Sequence, residues 1–194
     1  MSEQPSSRLV ILDRDGVINI DSDFYIKTVD EWIPVPGSIS AIARLSLAGF
    51  QIAVATNQSG LARGYFDEPT LANMHSLMRA LVEEEGGHIE VVVYCPHGPD
   101  EGCNCRKPAA GLLDAIASEL KTSVEGAWYI GDSEKDIELA HAMKCRPVLV
   151  RTGKGMETEA RLQRSNILPA LVFDDLAGAA DFILASHVIP KVQL

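Results

Sequence analysis

The sequence predicts an α/β fold: a Rossmann-like central parallel sheet with helices on both faces. Three observations predict it. Short apolar runs alternate with amphipathic stretches along the chain, the pattern of repeated strand–helix units. Runs such as Leu9-Val10-Ile11-Leu12 and Val91-Val92-Val93-Tyr94 are apolar at every position, as strands buried on both faces are. Polar clusters follow several of these runs directly, and parallel sheets bind ligands beyond the carboxyl ends of their strands.

The elements are expected in this order. Residues 8–12 form a strand that stops at Asp13. Pro36-Gly37-Ser38 opens a helix with Ile39, Ile42 and Leu45 near one stripe. Residues 51–55 form a second strand, ending at Thr56. Asp67-Glu68-Pro69 reads as a cap with proline in the first turn. The helix behind it carries Leu71, Met74, Leu77, Met78 and Leu81 and ends at Gly86-Gly87. The two methionines are most simply core, and His75 on this helix is expected to be solvated. Strands are expected at 89–94, 127–130, 147–150 and 171–173, and helices at 111–120, 134–143, 157–163 and 176–185. Residues 1–194 read as one domain, with a Cys-rich loop at 95–105 and a tail at 186–194 of no clear role.

Composition bounds the function. The chain has 194 residues, 46% hydrophobic and 23% charged, as in an ordinary globule. No apolar run reaches the length of a membrane span, and the polar N-terminus lacks the order of a secretory signal. A cytoplasmic protein is expected. The formal net charge of −10 disfavours nucleic acid and anionic membrane as partners. An anionic substrate would need local positive charge or a metal.

Two clusters carry chemistry. In Asp13-Arg14-Asp15-Gly16-Val17, two carboxylates sit two residues apart at a strand end. Such like charges repel unless a cation or shared proton relieves them, and Mg²⁺ is a hard cation that takes carboxylate and carbonyl oxygen. Asp132 follows another strand in the same way. In Cys95-Pro96-His97 and Cys103-Asn104-Cys105, three thiols and an imidazole fall in one short loop. That is a Cys₃His zinc set with no open position, hence structural. Folding the loop around Zn²⁺ would fix Arg106 and Lys107 behind it. The fourth cysteine, Cys145, is expected to be inert.

These motifs resemble the haloacid dehalogenase (HAD) superfamily. Asp13-x-Asp15-Gly16-Val17, Thr56-Asn57, Lys107 and Gly131-Asp132-Ser133-x-x-Asp136 match its four motifs in order. The resemblance implies a phosphatase. Asp13 would be the nucleophile that forms an aspartyl-phosphate, and Asp15 the general acid–base. Mg²⁺ would be held by Asp13, Asp132 and the backbone carbonyl of Asp15, with Asp136 behind the metal. Thr56 and Lys107 would hold the phosphoryl group. The short segment between Asp13 and the Pro36 helix start implies no large cap.

The zinc loop, with Arg106-Lys107-Pro108 after it, resembles that of heptose bisphosphate and histidinol-phosphate phosphatases. The segments 13–19 and 56–64 look like the heptose enzymes, which implies removal of the 7-phosphate of D-glycero-D-manno-heptose 1,7-bisphosphate in nucleotide-activated heptose synthesis. The anomer is not encoded in these residues. Asp21, Ser22, Asp23, Tyr25, Asn57, Gln58, Ser59, Arg63, Arg106 and Ser133 are the candidate substrate contacts. Ser133 stands where some heptose enzymes have lysine, and the short His97-to-Cys103 interval also suits histidinol-phosphate phosphatases. A monomer acting on a small phosphorylated sugar is expected. The readings of other classes are a phosphate-binding module without turnover and a zinc-dependent interaction protein.

Overall fold

The computed structural model describes residues 7–165 and 171–187. Six strands form one sheet: β1 (Leu9–Leu12), β2 (Gln51–Asn57), β3 (Val91–Cys95), β4 (Trp128–Gly131), β5 (Arg146–Val150) and β6 (Leu171–Phe173). The helices are α1 (Ser38–Leu47), α2 (Glu68–Glu84), α3 (Gly111–Leu120), α4 (Glu134–Ala142), α5 (Gly155–Ser165) and α6 (Leu176–Ser186). Apart from Ser186 and His187, the C-terminal tail lies outside the described residues.

The strand order is β3-β2-β1-β4-β5-β6, and every neighbouring pair is parallel. β1 and β4 therefore lie side by side although their connections run to opposite halves of the sheet. That reversal opens a crevice beyond their carboxyl ends, which is where Asp13 and Asp132 emerge.

Alternate residues of each strand feed two cores. Val10, Leu12, Ile52, Val54, Ile130 and Val148 pack with Ile42 and Leu45 of α1, Met74 and Met78 of α2, and Ile183 of α6. Leu9, Ile11, Ala53, Ala55 and Tyr129 pack on the opposite face with Leu112 and Ile116 of α3 and Leu139 of α4. Helix starts follow local chemistry. The Asp67 carboxylate accepts from Thr70 N at 2.9 Å at the head of α2, and Ser133 and Asp136 form a capping box on α4.

The expected elements all form, with shifted ends. β2 runs on to Asn57, so Thr56 and Asn57 belong to the strand. The expected 157–163 helix spans 155–165. Between β1 and α1 the chain makes one 3₁₀ turn, Val29–Glu31, and an isolated bridge between Asn19 and Pro34, and forms no large cap. His75 is buried rather than solvated. It lies four residues after Leu71 and three before Met78, inside the apolar stripe of α2.

Candidate active site

At the carboxyl end of β1, the Asp13 side chain is largely buried. Its Oδ1 accepts from Lys107 Nζ at 2.8 Å and from Arg14 N at 2.7 Å. Its Oδ2 accepts no hydrogen bond among the described residues, so it is the oxygen free to face a phosphorus atom or a cation. Burial pushes the Asp13 pKa well above the usual carboxylate range; Lys107 opposes this, while Asp136 and Asp132 add to it.

Lys107 is buried and three-fold bonded, to Asp13 Oδ1, to Asp136 Oδ1 at 2.7 Å and to Ala55 O at 3.0 Å. Burial alone would favour its neutral form, but Asp13 and Asp136 hold its pKa above the normal lysine range. Asn57 braces this lysine from β2. Its Oδ1 accepts from Lys107 N at 3.0 Å, and its Nδ2 donates to Lys107 O at 3.3 Å.

Asp132 projects from the end of β4 and accepts from Lys154 N at 2.8 Å. Burial and the nearby Asp136 push its pKa up to about 7. Its carboxylate lies between Gly16 and Gly153, where an added Cβ would stand 2.1 and 2.2 Å from Oδ2. Both glycines also have positive φ, so a side chain at either position would expel the carboxylate.

Asp136 is fully buried and saturated. It accepts from Lys107 Nζ, from Tyr129 Oη at 3.2 Å, and from Ser133 N and Oγ at 3.1 and 2.5 Å. It fits the expected place behind a metal and has no oxygen left to ligate one. One oxygen each from Asp13, Asp132 and Asp136 lies within 4.8 Å of the others. Asp13 and Asp132, both buried and both with raised pKa, are the pair with an oxygen to offer, and a hard divalent cation fits them.

Asp15 sits in a different environment. Its Oδ1 accepts from Arg14 Nη2 at 2.7 Å and Asn19 Nδ2 at 2.9 Å; its Oδ2 accepts from Gln58 Nε2 at 2.8 Å. Burial would raise its pKa, but Arg14 and these donors hold it below the usual range. Asp15 is therefore a carboxylate beside Asp13, which favours its proton.

One pocket of about 580 Å³ takes in Asp13, Asp15, Thr56, Lys107 and Asp132, together with Asp21, Ser22, Asp23, Tyr25, Asn57, Gln58, Ser59, Arg106 and Ser133. Several of these expected substrate contacts are already engaged elsewhere. Gln58 bonds Asp15 and Thr56 Oγ1, Asn57 holds the Lys107 backbone, and Ser133 caps α4. Arg63 is not part of this lining. Its guanidinium lies 5.9 Å from the centroid of the Tyr25 ring, which meets Tyr65 edge-on.

The sequence reading missed Lys154, Lys135 and Arg161, which put positive charge on the same pocket. Lys154 pairs with Asp21 at 3.0 Å and Arg161 with Glu157 at 3.3 Å. The available signal was Thr152-Gly153-Lys154-Gly155, a glycine-rich turn directly after β5.

Beside the pocket, the four donors of Cys95, His97, Cys103 and Cys105 also converge within 4.8 Å. Cys95 Sγ is 3.7 Å from Cys103 Sγ and 3.3 Å from Cys105 Sγ; His97 Nδ1 is 3.3 Å from Cys105 Sγ. Donors at zinc-bond lengths around one tetrahedral ion stand about 3.3–3.8 Å apart, so these residues fit Zn²⁺. Arg106 ties back to this loop through Nη1, which donates to His97 O at 3.1 Å.

A HAD-hydrolase-like family model matches residues 104–179. The chain is 58% identical over 173 residues to the D-glycero-beta-D-manno-heptose-1,7-bisphosphate 7-phosphatase of Pseudomonas putida, covering 89% of this chain and 97% of that one. The chain belongs to the heptose-1,7-bisphosphate 7-phosphatase family. A Neisseria meningitidis member is 44% identical over 188 residues, covering 96% of this chain and all of its own length. The crystal structure of the Bordetella bronchiseptica D,D-heptose 1,7-bisphosphate phosphatase, complexed with magnesium and phosphate, is also similar. It superposes with a TM-score of 0.86 at 46% identity, covering 92% of this chain and 98% of that chain.

Proposed function

We propose that this chain removes the 7-phosphate of D-glycero-β-D-manno-heptose 1,7-bisphosphate through a phosphoenzyme on Asp13. It is a phosphatase of the HAD superfamily, and its curated relatives carry that activity in their names. The β anomer rests on those names. The single observation that carries the mechanism is the convergence of Asp13 with Asp132 beside Lys107 at the β1–β4 crevice.

The steps follow from the residues. Asp13 attacks the 7-phosphorus as the P–O7 bond breaks. The bond's electron pair stays on O7, which takes a proton from Asp15. Water then attacks the phosphorus of the aspartyl-phosphate, Asp15 takes the water's proton, and Asp13 is released as carboxylate. In the free enzyme Asp15 is ionised. As the phosphoryl anion, a like charge, enters and raises its proton affinity, Asp15 takes up one proton from solvent, and that proton is the one given to O7.

Lys107 steadies charge at Asp13, and Thr56 lines the phosphoryl position. Asp13, Asp132 and the Asp15 carbonyl would hold Mg²⁺. When bound, Mg²⁺ offsets the repulsion between carboxylate and phosphoryl oxygens. Cys95, His97, Cys103 and Cys105 would hold a structural Zn²⁺ that keeps Arg106 and Lys107 at the pocket. The retained 1-phosphate has cationic partners in Arg106, Lys135, Lys154 and Arg161.

We read the whole chain as one domain, monomeric and cytoplasmic. Among the described residues no helix is long and apolar enough to cross a membrane. The test is a phosphate-release panel with the α and β heptose bisphosphates, histidinol phosphate and fructose 1,6-bisphosphate. Highest kcat/KM on the β-heptose ester is expected. Preference for histidinol phosphate would overturn the substrate while leaving the chemistry, and no Mg²⁺-dependent release from any ester would overturn both.

A further inference from the structure

Behind Asp15 lies a layer that the two chemical steps do not touch. Arg14 is among the largest fully buried side chains of the protein. Its guanidinium reaches Asp15 through Nε at 3.1 Å and through Nη2 at 2.7 and 3.0 Å, and Nη2 also donates to Gln58 Oε1 at 3.3 Å. The remaining nitrogen, Nη1, faces Nε2 of His75 at 3.4 Å. His75 comes from α2, 61 residues away in sequence, and its ring is tilted against Tyr94 with centroids 6.0 Å apart.

The chemistry of this contact is constrained. A guanidinium has five donors and no acceptor, so its neighbour must accept. A carboxylate at position 75 would compete with Asp15 for the same cation. A protonated imidazole would repel it. Burial, and then the Arg14 charge, push the His75 pKa down to about 3. The ring is therefore neutral, and facing Nη1 fixes its tautomer, with Nε2 accepting and Nδ1 carrying the proton. It satisfies the last face of Arg14 and leaves the charge of Arg14 to Asp15.

We propose that Arg14 and His75 are a positioning pair that locks the Asp15 carboxyl for proton transfer to a poor leaving group, and so favours alkyl over aryl phosphate esters. This rests on the reading of Asp15 as general acid. An alkoxide leaving from phosphorus needs the proton of Asp15 as the P–O bond breaks, whereas p-nitrophenolate leaves as the stable anion. The parameter kcat/KM reports only steps up to the first irreversible one, the P–O cleavage. Misplacing Asp15 should therefore depress kcat/KM for alkyl esters alone.

The experiment compares His75→Leu, His75→Gln and Arg14→Lys with the wild type, on heptose 1,7-bisphosphate and on p-nitrophenyl phosphate at saturating Mg²⁺. His75→Leu and Arg14→Lys should lower kcat/KM for the heptose ester by about 10–100-fold, the cost of a small misplacement of a catalytic group. The p-nitrophenyl ester should change less than about twofold, well short of that misplacement cost. His75→Gln, whose amide oxygen can accept from Nη1, should recover most of the loss. Equal losses on both esters would mark a structural defect and overturn the pair, as would no loss on either. Asp15→Asn separates the levels. If it lowers the heptose ester selectively and His75→Leu does not, only the pair falls. If it lowers both esters equally, the acid role of Asp15 and the pair fall together.

Discussion

The carboxylate centre and the thiol–imidazole loop both sit at strand ends, and they are built in opposite ways. The carboxylate centre draws Asp13 from β1, Asp132 from β4, Asp136 from α4 and Lys107 from the loop before α3. None of them can act until the sheet has brought them together. The thiol–imidazole set comes from one stretch, Cys95 to Cys105. Among the described residues, the first leaves Asp13 Oδ2 without a donor, and it opens on a pocket of about 580 Å³. The second has four donors at zinc-like separations, with none to spare. An open donor set can take a substrate oxygen; a closed one can only hold chain. The two meet at Arg106 and Lys107, which leave the closed loop and enter the open centre.

The sharpest way to break this contrast is Asp13→Asn. The replacement removes the nucleophile, so kcat should fall on the order of 10⁴-fold or more, while thermal melting stays near wild type. Retained turnover would place the chemistry elsewhere. Next is Lys107→Met, which strips a buried cation from Asp13 and Asp136. Loss of one partner from such a cluster costs about 3–5 kcal/mol, read by urea unfolding, and kcat should drop roughly 10²–10³-fold.

Cys105→Ser probes the other region. If the loop is structural, stability should fall by about 2 kcal/mol or more, near 4–8 °C in Tm for a domain of this size. The loss in kcat should stay below that of Lys107→Met. A larger loss than Lys107→Met would mean that the closed set takes part in chemistry.

The smallest effect concerns pH. His75 has a folded pKa depressed to about 3 from 6.5. Between those values the unfolded chain binds the extra proton, so stability is present above pH 6.5 and is lost as pH falls towards 3. The slope from this group is at most about 1.4 kcal/mol per pH unit. His75→Gln should flatten the acid limb by up to that amount in urea titrations between pH 5 and 6.5. An unchanged limb would mean that the buried imidazole does not resist protonation.

The two regions also differ in how far the sequence disclosed them. The zinc-type loop was legible from ligand type and spacing, because its geometry is local. The carboxylate centre was legible only through the rule that parallel strands present ligands at their carboxyl ends. That rule, with the alternating runs, gave Asp13, Thr56 and Asp132 their place before any coordinates. Interactions between distant segments were not legible. Asn57 ends β2 and Gln58 follows it, and nothing in their spacing says that one serves Lys107 and the other Asp15. His75 does carry a signal, its register with the buried Leu71, Met78 and Val82, but the polarity of a lone histidine points to solvent and the register wins. Lys154 falls in the gap between the strand expected at 147–150 and the helix expected at 157–163, and nothing local in Thr152-Gly153-Lys154-Gly155 says that the turn folds back onto Asp132.

The nucleophile itself is tested most directly by rapid acid quench of the enzyme during turnover of ³²P-labelled heptose bisphosphate, followed by peptide mapping. A transient, hydroxylamine-labile label on the peptide holding Asp13, absent in Asp13→Asn, is the predicted result. Turnover without label on that peptide, with the asparagine variant still active, would contradict the account.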